Sequence, residues 1–314
     1  MLERYFECPY AGFVSRVLRL REREERTVLD TDSGTFVHAV LEECAKKFNE
    51  LKDEDECRKY ARQVAETLLS TPRFAALSDT RAGAYTAERI LRESGEVAAV
   101  AYRQLSLSAF RVHKTEERIA LPELSLAGTA DRIDVSDEYV RIIDYKTGKI
   151  DDSAVAYYTG RKLQLPLYLR AAGDGLKPAG AFYFPASEAF TKENEDKYRM
   201  RGFFSGEEDV LRRMDSTLQD GQTSALFGGK LNGKYTDKGM KQEDFEAFLD
   251  YGILVSQKAE NEMKAGNIAP APYEKACGYC KLKSLCGFVG SPRKEKDVAC
   301  ADIARIVRRE RGEE

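Results

Sequence analysis

Asp131 in GTADRIDV and Asp144 in YVRIIDYK lie in two segments whose apolar residues recur at every second position. An antiparallel hairpin turning at Asp137 and Glu138 would set Asp131 opposite Asp144, Ile133 opposite Ile142 and Val135 opposite Val140, with Lys146 on the same face. Opposed carboxylates, with β-carbons about 4.5–5.5 Å apart, repel one another. In phase with isoleucine and valine they would also be partly desolvated, which raises the cost. A divalent cation removes the conflict: Mg²⁺ takes oxygen ligands and is commonly held by one or two carboxylates with water and a substrate phosphate. An ammonium group beside such an ion can orient a water or neutralise charge developing on phosphate.

The bland alternative is a surface hairpin whose acids pair with Lys or Arg. It fits the phase poorly, because exposed partners should alternate against the isoleucines and valines. The register requires a two-residue turn, and Asp-Glu lacks the glycine that such turns favour. His38, in GTFVH, and the pair Gln164 and Tyr168, one helical turn apart in QLPLY, are further candidates. Taken singly, each is an ordinary structural residue. Glu117 and Glu116 compete for a supporting contact from the preceding strand.

These side chains need a scaffold. Helical periodicity predicts helices in GTFVHAVLEECAKKF, capped at Thr35 or Ser33, in EDECRKYARQVAETLL and in TAERILRESGEVAAVAYRQLSL. A period of two then predicts strands in RVHKTEERIAL, LSLAGTADRIDV and EYVRIIDYK. Helix returns in AVAYYTGRKLQLPLYLRAA, interrupted at Pro166; AGAFYFPA reads as one more buried strand, and residues 207–219 and 241–265 as helices. The class is α/β (α+β), a small central mixed β-sheet flanked by helices.

Seven cysteines stand at positions 8, 44, 57, 277, 280, 286 and 300. An odd count in a chain without an export signal favours a reduced cytoplasm over a disulfide framework. Cys277, Cys280 and Cys286 form C-x-x-C-x-x-x-x-x-C, and with one more thiolate such a spacing could ligate either zinc or an iron–sulfur cluster. No apolar run is long enough to span a bilayer. The net charge of −3 means that any attraction for nucleic acid must be local, and RVLRLRERE and RIVRRERG read first as solvated helix faces. Gly228 through Lys234 fit G-x-x-x-x-G-K, but Tyr235 stands where a phosphate-binding loop needs Ser or Thr, so the match is a decoy.

Together, G-T-F-V-H (34–38), G-T-A-D-R (128–132), I-D-Y-K-T-G (143–148) and Q-L-P-L-Y (164–168) resemble the RecB-like nucleases of the PD-(D/E)XK superfamily. Cys8 with the C-terminal cysteines resembles the cluster-bearing C-terminal nuclease domain of AddB-type subunits of bacterial helicase-nucleases. The resemblance implies a restriction-endonuclease-like core with helical insertions and a Cys-ligated cluster joining the termini. It implies a single domain, with a core at about 30–185, a helical insertion and C-terminal region at 186–270, and cluster-binding segments at 1–20 and 271–290. It further implies Mg²⁺ or Mn²⁺ held by His38, Asp131, Asp144 and the Tyr145 carbonyl, with Lys146, Gln164 and Tyr168 completing the catalytic set. Cys8, Cys277, Cys280 and Cys286 would bind a 4Fe-4S cluster. The implied activity is exonucleolytic hydrolysis of single-stranded DNA ends in double-strand break repair and recombination, with a helicase-nuclease A subunit as partner. A stand-alone CRISPR-associated RecB-like exonuclease and a non-catalytic DNA-binding module with a zinc or iron–sulfur staple are the competing readings.

Overall fold

In the computed structural model, the described residues are 2–20, 30–77, 81–124, 126–173, 175–186 and 197–313. The chain opens with α1 (Leu2–Glu7) and α2 (Pro9–Arg16), followed by α3 (Asp30–Ala45), α4 (Glu54–Leu69) and α5 (Arg81–Ser106). Asp53 caps α4 by accepting a hydrogen bond from the Glu56 amide at 2.8 Å. Three strands follow, β1 (Arg111–Leu121), β2 (Leu126–Ser136) and β3 (Tyr139–Lys146), matching the predicted segments closely. Then come α6 (Ala154–Tyr158), α7 (Gln164–Ala172), β4 (Lys177–Pro185), β5 (Arg201–Ser205), α8 (Glu208–Met214), β6 (Gly239–Met240), α9 (Gln242–Lys264), α10 (Lys283–Cys286) and α11 (Cys300–Glu310).

The strands form one six-stranded mixed sheet in sequential order, antiparallel except for the β3–β4 and β5–β6 pairs. β2 and β3 pair in the expected register, Ile133 with Ile142 and Val135 with Val140. The turn at Asp137 and Glu138 manages without glycine because Asp137 adopts the left-handed conformation at φ +47°, which aspartate tolerates better than most residues.

β3 is buried along almost its whole length, as expected of an interior strand covered on both faces. Ile143 and Tyr145 join a cluster with Phe36, Leu41, Phe182 and Phe184, whereas Val140 and Ile142 join another with Ile133, Leu165, Leu169, Phe245 and Ile303. The two clusters therefore line opposite faces of the sheet, one under α3 and α5, the other under α7, α9 and α11.

The structure corrects several expectations. Ser33 and Thr35 lie inside α3, which begins at Asp30, so neither caps it. The helix predicted through Pro166 is two helices; the break falls around Gly160 (φ +77°), and Pro166 occupies the first turn of α7, where no intrahelical bond needs its missing N–H. Region 186–270, read as helical, adds β5 and β6 to the sheet; both are too short for a periodicity signal. The Gly228–Lys234 segment is loop, with no strand leading into it and no helix leaving it. Among the described residues no helix is long and apolar enough to cross a membrane.

Candidate metal centre and its surroundings

Asp131 on β2 and Asp144 on β3 lie one residue beyond the Arg132–Ile143 pair, the last pair of the β2–β3 ladder. Asp131 Oδ2 accepts the Tyr145 amide at 2.7 Å and lies 3.4 Å from His38 Nδ1. One carboxylate thus ties β2 to the end of β3 and to α3. Gly34 permits that approach of α3: a β-carbon there would stand 2.7 Å from Thr147 Oγ1. The Tyr145 ring meets His38 edge-on, with centroids 6.2 Å apart, and meets Phe184 in the same way.

Asp144 is buried, and Lys146 Nζ lies 2.6 Å from its Oδ2. The pair is a close ionic contact at the end of β3. Burial, then the charge of Asp131, pushes the Asp144 carboxyl up to about 6 despite Lys146 and His38. For His38, burial is the largest influence and lowers its pKa, but the Asp131 hydrogen bond together with the charges of Asp131 and Asp144 outweighs it, and the net displacement is upward. A cavity of about 530 Å³ opens beside the two acids, lined by Gly34, Thr35, His38, Glu42, Glu116 and Asp131 among others. Glu116, not Glu117, faces it: Glu117 pairs with Lys114 at 2.7 Å, whereas burial and then Asp131 raise the Glu116 carboxyl.

On the opposite face of the hairpin lies a group that the sequence pattern did not anticipate. Arg132, Asp134 and Arg141 are all buried, with Arg132 Nη2 and Arg141 Nε each donating to Asp134 Oδ2 at 3.0 Å. Arg132 Nη1 also donates to the Tyr145 hydroxyl at 2.9 Å, so this group fixes the residue between Asp144 and Lys146 from behind.

Gln164 and Tyr168 share a face of α7 and are joined by a 3.3 Å hydrogen bond. Tyr168 reaches Gly128 of β2 so closely that a β-carbon there would lie 1.7 Å from its hydroxyl. Burial, opposed by Gln164 and reinforced by the charge of Asp144, raises the Tyr168 pKa. Glu3, 160 residues distant in sequence, accepts the amides of Leu163 and Gln164 at 2.8 and 3.1 Å and so anchors the start of α7. No local sequence signal marks it.

The cysteines fall into two groups. Cys44, Cys57 and Cys300 are buried, Cys300 against Asp237, while Cys8, Cys277, Cys280 and Cys286 are half-exposed and free of disulfides. Burial first, then the charges of Cys280, Cys8 and Cys286, raise the Cys277 thiol, which places the four sulfurs in one neighbourhood. The segments bearing them also meet directly: the Tyr273 amide donates to the Glu7 carbonyl at 3.2 Å, and Arg293 donates to the Phe6 carbonyl at 2.5 Å. Among the described residues, no group of three or more His, Cys, Asp or Glu side chains is drawn together tightly enough to hold a metal ion in its present conformation. The donor chemistry nevertheless suits both groups: hard oxygens with an imidazole at one site, and four clustered thiols at the other.

A mixed sheet whose central hairpin ends in two opposed acids and a lysine, with flanking helices supplying histidine, glutamine and tyrosine, has the layout of a restriction-endonuclease-like nuclease. The PD-(D/E)XK nuclease superfamily model matches residues 1–287, and the chain belongs to that superfamily. It is 30% identical to the B subunit of the ATP-dependent helicase/deoxyribonuclease from Caldanaerobacter subterraneus subsp. tengcongensis, over 91% of this chain and 29% of the relative. The protein of the same name from Clostridioides difficile is 28% identical, over 94% of this chain and 30% of the relative, and that of Listeria welshimeri 25%, over 91% and 29%. The chain spans about three tenths of the length of these curated relatives.

Proposed function

We propose that this chain is a single metal-dependent nuclease domain, the nuclease module of an AddB-type component of a helicase-nuclease, acting in the cytoplasm on single-stranded DNA ends during break repair and recombination. A helicase-nuclease A subunit would be its partner. The observation that carries the reading is the Asp131–Asp144 pair, two acids on one face beside Lys146, with Asp144 buried and its carboxyl pushed up to about 6. His38, Asp131, Asp144 and the Tyr145 carbonyl would hold Mg²⁺ or Mn²⁺, which supplies charge neutralisation at the scissile phosphate and acidifies a bound water.

The chain's own residues then do the rest. Lys146, released from Asp144, donates to the attacking water or to the developing phosphorane. Gln164 and Tyr168 donate to the strand backbone and hold it in register with the acids. Cys8, Cys277, Cys280 and Cys286 would bind a 4Fe-4S cluster with a structural role, pinning the two ends of the chain. Purified protein with Mg²⁺ should digest single-stranded DNA, and Asp144→Ala or Lys146→Ala should not. Digestion at the parental rate by either variant would remove the assignment. Iron and sulfide in equal amounts in anaerobically purified protein identify the cluster, and stoichiometric zinc rejects it.

A further inference from the structure

A second cavity, of about 280 Å³, opens against Gln164 and Tyr168. Its lining is mixed, with Leu2, Ile119, Leu121, Leu126, Leu163 and Leu167 supplying the aliphatic part. Gln164 and Tyr168 also line it, and Tyr168 packs on Gly128 of β2, three residues before Asp131, so β2 connects the cavity to the acids. Arg16 stands exposed at the rim and Glu3 is half-buried in the lining.

Three features restrict the occupant. The volume falls near the ~300 Å³ lower end of small-molecule pockets, which suits one flat ring system and excludes a helix or a folded peptide. The Glu3 carboxylate repels phosphate, so the part of a nucleotide that enters must be uncharged. Aliphatic side chains together with the Tyr168 ring, a carboxylate in the lining and a guanidinium at the rim match a heterocycle that presents both donors and acceptors. The geometry points to a pocket for one unstacked nucleobase of the strand whose backbone is held at the acids. This inference rests on the DNA-hydrolase reading and adds a reason for single-strand preference: a base paired and stacked in a duplex cannot enter.

The test walks one abasic nucleotide along a single-stranded oligonucleotide and measures both affinity and hydrolysis by the full chain with Mg²⁺. One position, or two adjacent ones, should weaken binding roughly tenfold, the scale of losing one stacked base. Ala127→Phe and Leu126→Trp, which fill the cavity from its rim, should shrink the gap between intact and abasic strands to less than about twofold on the same scale. A misfolded variant would bind neither strand and would not mimic that convergence, and the walk with unaltered protein decides the question if both variants fail to fold. Affinity that is uniform along the walk, or variants that keep the full gap, overturns the pocket. Intact strand that is bound with positional preference yet never hydrolysed sinks the hydrolase reading and leaves the pocket standing.

Discussion

Asp131 Oδ2 accepts the amide of Tyr145 at 2.7 Å, so a side chain on β2 holds the backbone of β3 between Asp144 and Lys146. The same oxygen faces His38 on α3. Exchange for an amide removes charge and can turn a donor toward a donor. Asp131→Asn should reduce single-strand hydrolysis by roughly a hundredfold or more and raise the Mg²⁺ concentration for half-maximal rate about tenfold or more. Steady-state rates across a Mg²⁺ titration check both; an unchanged titration midpoint contradicts the role.

The two raised titrations set a pH dependence of stability. Asp144 binds its proton more tightly folded than unfolded, its pKa rising from 3.8 to about 6 through burial and then Asp131, and His38 also ends above its ordinary value. Both favour the folded state at low pH. For Asp144 this stabilisation is complete below the unfolded value and is lost as pH rises through about 6; for His38 it is lost as pH rises through its raised value. In chelator, stability should therefore fall by on the order of 3 kcal/mol between pH 4 and 7 on account of Asp144. Urea melts should show a shallower slope for Asp144→Asn, and added Mg²⁺ should restore the wild-type loss. Parallel slopes for the two proteins would refute this.

Among the described residues, Asp134 is the acid that meets the buried guanidiniums of both Arg132 and Arg141. Asp134→Ala leaves both without that counter-charge. The expected cost is about 3–5 kcal/mol, read by denaturant unfolding at pH 7. Replacing the group together, with Arg132 and Arg141 also made apolar, should recover most of it.

Gly128 has no room for a side chain because Tyr168 occupies the space. Gly128→Ala should push the ring away, raising KM for single-stranded DNA and lowering the rate. Combined with Tyr168→Ala it should add almost nothing, since the displaced ring is already gone. A double-variant cycle that is additive rather than redundant counts against the contact.

Cys8 and Cys277 enclose nearly the whole chain, and closing a loop of that length costs on the order of 5 kcal/mol. Cys277→Ala should lower thermal stability and, with it, hydrolysis. The loss should appear in chain-end probes first, through the contacts of Glu7 with Tyr273 and of Phe6 with Arg293. A cluster-free protein of full stability and activity would show the cysteines to be dispensable.

The hairpin register was legible because side-chain alternation and turn length together allow few solutions, and Ile133, Ile142, Val135 and Val140 settle the phase. Spacing joined Cys277, Cys280 and Cys286, whereas Cys8, at the other end of the sequence, entered through the family resemblance. Three things were not legible. β5 is five residues and β6 two, too short to show a period, and β5 takes its place from the ladder offered by β4. The alternation argument treated the second face of the hairpin as exposed, whereas Arg132, Asp134 and Arg141 are buried there because α3 and α5 cover it. Glu3 on α1 and Arg16 on α2 come to Gln164 and Tyr168 through long-range contacts that no local pattern encodes.

β3 and β4 run in the same direction, so the chain must travel back along the sheet between them, and α6 with α7 is that journey. The helix bearing Gln164 and Tyr168 is consequently obligatory wiring rather than an accessory. Deletions within 147–176 would report architectural collapse, so dissecting chemistry there calls for point substitutions, while grafts that alter reach belong in the loops at either end of the crossover.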